Sequence, residues 1–121
     1  MASRTALSED SLVAPARLLG ALADPARLRI INLIKHGGEV CNCHIGPVTG
    51  YLPSKISRHL AILKQAGFLR ERREGTFIHY TLAKANEPVL RRTLATLDAI
   101  ATQDPRLQAD RDELDTRRCC D

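Results

Sequence analysis

The spacing of apolar residues along this chain is helical except in one β-prone interval, and that single interruption limits the folds open to it. Leu12, Ala16, Leu19 and Ala23 recur along one face of a helix spanning about 9–23. Asp24-Pro25 then reads as an N-cap with proline at the first helical position. The helix it opens carries Leu28, Ile31 and Ile34 inward and stops at Gly37-Gly38. A short helix or irregular turn is expected over about 41–49. After Gly50-Tyr51-Leu52 another helix starts near Pro53 and runs to Ala66, with Ile56, Leu60 and Leu63 as its buried stripe. Past Gly67 the pattern becomes β-prone, in two runs over 68–73 and 76–82 separated by Glu74-Gly75, a hairpin signal. Helical spacing returns after Asn86-Glu87-Pro88, with Leu90, Leu94, Leu97 and Ala101 on one face.

A lone hairpin is marginally stable, so this one must lean on helices. The order helix, helix, short helix, helix, hairpin, helix is that of a winged helix-turn-helix, mainly α with a β-hairpin wing. Three regions are expected: a disordered start over 1–8, a DNA-binding and dimerisation domain over 9–103, and a polar tail over 104–121. Beyond Asp104-Pro105 no apolar stripe is evident, and the tail is expected to fray. The two outer helices each carry a Leu and Ala stripe with too few partners in one protomer. Pairing these N- and C-terminal helices across a two-fold axis would bury them, so a homodimer is expected.

Net charge is +4 over 121 residues, unevenly placed. From Asp104 onward four Arg face six Asp or Glu, so the preceding residues hold a balance of +6. A basic body of this kind invites a polyanion, usually nucleic acid, though a merely cationic surface is the plainer alternative. With no apolar run near the ~20 residues a bilayer requires and an acidic turn in MASRTALSED, a cytoplasmic location is expected. Cysteines in such a chain read as thiols or metal ligands rather than a disulfide framework.

The helix starting near Pro53 offers Ser54, Lys55, Ser57 and Arg58 in its first turns, with Ala61 and Gln65 continuing that face. A helix of this type can lie in the major groove, where Arg58 can contact guanine and Lys55 a phosphate. His59 sits near the apolar stripe and is either a DNA contact or a structural, hydrogen-bonded histidine. In the hairpin, Arg70, Arg72 and Arg73 suit a wing on backbone or minor groove, whereas His79 reads as a packed cross-strand neighbour.

Cys41-Asn42-Cys43 holds the remaining chemistry. Two thiols one residue apart can chelate a soft ion, or they can be small buried hydrophobes. Within a regular α-helix positions i and i+2 point about 200° apart, so both sulfurs cannot face one ion. Binding therefore requires a helix end or an unwound turn. If the pair closes by distorting the short helix, the DNA-competent state loses population.

The stretch LADPARLRIINLI…GGEVCNCHI…PSKISRHLAILKQAGFLRERREGTFIHYTLA, roughly residues 18–83, resembles the ArsR/SmtB family of metal-responsive bacterial repressors. The resemblance implies a dimeric repressor that binds an inverted-repeat operator and is released by a metal or metalloid. Many relatives place Ser at the N-cap of the reading helix, where this chain has Leu52, so Ser54 or water must cap it. EVCNCHI resembles the cysteine box of arsenic- and cadmium-sensing members. The last helix offers Arg91, Arg92, Thr93 and Asp98 without histidine, which does not match the family's zinc site. The N-terminal arm lacks the cysteines of the cadmium sensors, and Gly46 stands where arsenic sensors often carry a third Cys. Cys119 or Cys120, from either protomer, is then the expected third donor, with His44 the weaker candidate.

The expected function is an arsenite-responsive repressor that needs no cofactor, has As(III) as inducer (Sb(III) second) and binds double-stranded DNA as a homodimer. Alternatives of the same fold respond to Cd, Pb or thiol oxidation, and an architectural DNA binder would ignore metalloids. A thiol-dependent arsenic-processing enzyme is not expected, since there is no Gly-rich phosphate cradle and no paired carboxylates in a pocket.

Overall fold

The computed structural model describes residues 7–84 and 88–118. Helix α1 (Asp10–Ala21) leads into α2 (Pro25–Gly37), whose start follows the sequence signal closely. Asp24 stands in extended backbone and its carboxylate accepts the N–H groups of Ala26 and Arg27 at 2.8 and 3.1 Å. Burial opposes its charge, but the two backbone bonds and the neighbouring charge of Arg27 act together against that cost and hold the carboxyl below its ordinary value.

Helix α2 is the centre of the core. Ile30, Ile31, Asn32, Leu33 and Ile34 are all buried, so the helix is enclosed nearly all round. Each of its apolar side chains contributes about 1.5–3 kcal/mol by leaving water. Gly38, at φ +81, turns the chain sharply out of α2. Three residues then form β1 (Glu39–Cys41), followed by α3 (Asn42–Thr49), α4 (Pro53–Gln65) and the hairpin β2 (Leu69–Glu74) and β3 (Phe77–Leu82). Gly75, at φ +61, occupies the first position of the turn.

The hairpin is part of a three-stranded antiparallel sheet in the order β1-β3-β2. Glu39, Val40 and Cys41 pair with Thr81, Tyr80 and His79. The start of α3 is thereby tied to the wing, a link the two-strand expectation lacked. Helix α5 (Pro88–Ala101) buries Leu90, Leu94, Leu97 and Ala101 against its own protomer, so its stripe has partners within one chain, contrary to expectation. The stripe of α1 behaves as expected, with Leu12 and Leu19 60% and 56% exposed.

The tail expected to fray is a helix, α6 (Pro105–Arg118). Asp104 accepts the Leu107 N–H at 2.9 Å, and Pro105 opens the helix, the same device as Asp24-Pro25. Leu107 and Leu114, one heptad apart, are buried with Asp110 between them. Polar contacts complete the seat on α2. Arg29 donates twice to Asp110 at 2.8 and 2.9 Å, which raises the guanidinium's proton affinity. Asn32 donates to the Leu107 carbonyl at 3.1 Å and accepts from Arg111 at 2.7 Å. At the far end Arg118 donates to the Gly37 carbonyl at 2.8 Å, so close that a Cβ on Gly37 would stand 2.6 Å from that guanidinium.

Candidate functional site

Cys41 is the last residue of β1 and the N-cap of α3, in extended backbone at φ −71, ψ 143. Its sulfur accepts the Cys43 N–H at 3.2 Å, as a capping side chain does. The 200° separation expected between the two cysteines applies only inside a helix, and Cys41 lies outside it. The sulfurs of Cys41 and Cys43 and a ring nitrogen of His44 all lie within 4.8 Å of one another. Capture of one ion by these residues therefore does not demand that α3 unwind, which corrects the distortion expected above. Cys41 is 4% exposed while Cys43 is open to solvent, so one sulfur is anchored and the other accessible.

Beside Cys43 an open groove of about 730 Å³ runs between α3, the wing and α6. Cys43, His44 and Pro47 line one side, Phe77 the wing end, and Glu113, Thr116 and Arg117 the other. The end of α6 thus faces Cys43 across this groove. Cys119 and Cys120 lie outside the described residues. Gly46 is half-buried against Ile56 and Tyr51.

On α4, Ser54, Lys55, Ser57 and Arg58 are exposed, with Ala61 and Gln65 continuing the same face. Leu52 is the N-cap and, among the described residues, no side chain caps the helix, so Ser54 does not take that role. Lys55 lies 4.0 Å over the ring of Tyr51, and Arg29 approaches the same ring at 5.1 Å. The sequence places Tyr51 only in the turn before α4; its ring contacts with Lys55 and Arg29 are not foreseen there, although an aromatic just ahead of a basic helix is a signal for them.

Of the two readings left open for His59, a DNA contact or a structural histidine, its surroundings match the second. It is 4% exposed, on the buried stripe, and its Nδ1 lies 3.3 Å from an Arg27 guanidinium nitrogen. Burial pushes its imidazole below the ordinary histidine value. In the wing, Arg70, Arg72 and Arg73 are exposed. Arg72 is held by Glu39 at 2.6 Å and Glu74 at 2.9 Å, and any phosphate contact must compete with both carboxylates. His79 lies across from Cys41 and Arg72, with its ring 3.5 Å from Glu74.

The profile described as "Bacterial regulatory protein, arsR family" matches residues 24–71. The arsenical resistance operon repressor of Escherichia coli K12 is 40% identical over 73 residues, 60% of this chain and 62% of that protein. The arsenic resistance transcriptional regulator ArsR1 of Pseudomonas putida is 39% identical over 71 residues, covering 59% and 56%. The chain thus spans less than two thirds of either relative. Among solved structures, the homodimeric winged helix-turn-helix DNA-binding domain Mb0332 of Mycobacterium bovis, a possible ArsR-family transcriptional regulator, superimposes with a TM-score of 0.68. It is 30% identical, covering 87% of this chain and 94% of that one. Among the described residues no helix is long and apolar enough to cross a membrane.

Proposed function

Since this chain belongs to the ArsR family of bacterial regulatory proteins, we propose that it is a homodimeric transcriptional repressor that trivalent arsenic releases from operator DNA. The observation that carries this reading is the convergence of the Cys41 and Cys43 sulfurs at the start of α3, the helix that precedes the reading helix. Thiolates select soft acceptors, and trivalent arsenic is one. Antimonite has the same chemistry and is the second candidate inducer.

The third sulfur comes from Cys119 or Cys120. Thr116 and Arg117 line the groove with Cys43, and Cys119 follows Arg117 by two residues, each step about 3.8 Å between Cα atoms. His44 favours a second reading, because two sulfurs and one imidazole also suit a thiophilic divalent ion such as cadmium.

In DNA binding, Ser54, Lys55, Ser57 and Arg58 meet the major groove. Arg58 supplies about 1–3 kcal/mol of discrimination if it pairs with guanine. Arg73 approaches the backbone from the wing, and Arg72 joins it by exchanging its carboxylates for phosphate.

The test is an anisotropy titration on a duplex that the wild-type protein selects from a random pool, with arsenite, antimonite or cadmium added. Cys41→Ser and Cys43→Ser should bind that duplex with near wild-type affinity and stay bound in arsenite. Replacing Cys119 and Cys120 together by Ser should weaken induction by about tenfold or more, since loss of even an outer-shell partner of a ligand costs about that much. Release of the Cys41 or Cys43 variant at the wild-type arsenite concentration sinks the reading.

A further inference from the structure

We propose that the carboxamide of Asn42 is the relay that carries occupancy of the thiol site into the wing; this rests on the reading that Cys41 takes trivalent arsenic. Asn42 follows the last residue of β1, where the backbone leaves the sheet to begin α3. The antiparallel register that pairs Cys41 with His79 would next pair Asn42 with Ile78. The backbone no longer offers a carbonyl there, and the side chain supplies one instead. Asn42 Oδ1 accepts the Ile78 N–H at 3.4 Å and also the Cys41 thiol at 3.4 Å. One oxygen thus joins the anchored sulfur to the strand that, opposite Arg73, forms half the wing.

Taking up arsenite changes one of those two bonds chemically. An As–O bond and the S–H bond break, an As–S bond forms, and the hydrogen leaves with hydroxide as water; nothing is oxidised or reduced. Cys41 then has acceptor capacity only, and Asn42 Oδ1 faces another acceptor. The Asn42 amide group carries two donors on its other side. A half-turn of the carboxamide aims Nδ2 at the sulfur and withdraws Oδ1 from Ile78. The wing strand loses its tie to α3 in the arsenic-loaded state alone, which is the differential contact a population shift requires. Asn42 acts here as a positioning residue: it is not a ligand and does not touch DNA.

Asn42→Asp separates this role from a structural one. The carboxylate still accepts from Ile78 but has no donor to turn toward the sulfur. The variant should bind the selected duplex like wild type and take up arsenite with the same count of thiols by intact mass. Its arsenite-induced loss of DNA affinity should shrink about tenfold, within the usual 5–150-fold range of such couplings. Release as complete as wild type overturns the relay and leaves the arsenite reading standing; a wild-type protein indifferent to arsenite overturns both. Should Asn42→Asp fold poorly, amide exchange in the wild-type protein decides. Ile78 should exchange about five- to tenfold faster with arsenite, the worth of one hydrogen bond, while Tyr80 keeps its rate. An unchanged Ile78 amide overturns the relay.

Discussion

His59 is decided by the face it shares with Ile56, Leu60 and Leu63, all buried on α4. The neutral ring can accept from Arg27, and a charged one would meet that guanidinium as a like charge. Because burial lowers its proton affinity in the fold, the unfolded chain takes up the proton first on acidification. Its contribution to stability is complete above the ordinary histidine value, about 6.5, and declines as pH falls from there toward the lowered folded value. The urea midpoint of the wild-type protein should therefore drop between pH 7.5 and 5.5, and His59→Gln should flatten that drop. An equal slope in the two proteins would assign the loss to other groups. Asp24 acts in a separate window. Its lowered carboxyl stabilises above its unfolded value, about 3.9, and loses that contribution only in stronger acid. Asp24→Ala should cost about 1 kcal/mol at neutral pH in urea unfolding, the usual worth of an N-cap.

At the scale of elements, α6 shows what a local pattern conveys and what it conceals. Removing Asp110 leaves Arg29 charged and largely buried, its side chain 17% exposed beside a carboxylate 2% exposed. Asp110→Ala should destabilise by about 3 kcal/mol, the cost of breaking one side of a buried pair, read from the urea midpoint. It should also weaken arsenite binding, since Glu113, Thr116 and Arg117 reach the cysteine groove through this helix. A loss below about 1 kcal/mol would mean that α6 is held by its leucines and its other polar contacts without need of this pair. Helices α2, α4 and α5 were legible because each repeats three or four apolar residues at helical spacing. Helix α6 carries only Leu107 and Leu114, and its anchor Asp110 pairs with Arg29 from the far end of the chain. The Asp104-Pro105 cap was the signal available, identical in kind to Asp24-Pro25. Strand β1 was equally hidden: three residues are too few to display alternation, and their partners lie about forty positions downstream. The candidate site suffered from the same blind spot. Its cysteines were evident, but a boundary misplaced by one residue put Cys41 inside a helix and made converging sulfurs look strained.

For the whole molecule, the order of elements was enough to read the winged fold, while the surface left uncovered required coordinates. Leu19 of α1 and Ile100 of α5, 56% and 43% exposed, flank one cleft lined also by Leu22, Leu28 and Leu97. Leu12 and Val13, at 60% and 54%, extend the apolar surface along α1. Exposed apolar surface of this kind marks an interface, and in the homodimer proposed above a second copy of the chain would bury it. Leu19→Glu tests this at little risk to the protomer, because the side chain is already in solvent. Sedimentation velocity should show a dimer for wild type and a monomer for the variant at the same concentration. The DNA consequence follows from linkage. Two reading helices on one dimer make the second half-site contact intramolecular, worth about 10²–10⁴ in apparent affinity without any new contact. Leu19→Glu should therefore lose at least about a hundredfold on a full inverted repeat, while binding an isolated half-site as wild type does. Equal affinity for the full repeat, with the variant monomeric, would mean that each protomer reads DNA alone and that the apolar face of α1 and α5 serves another partner.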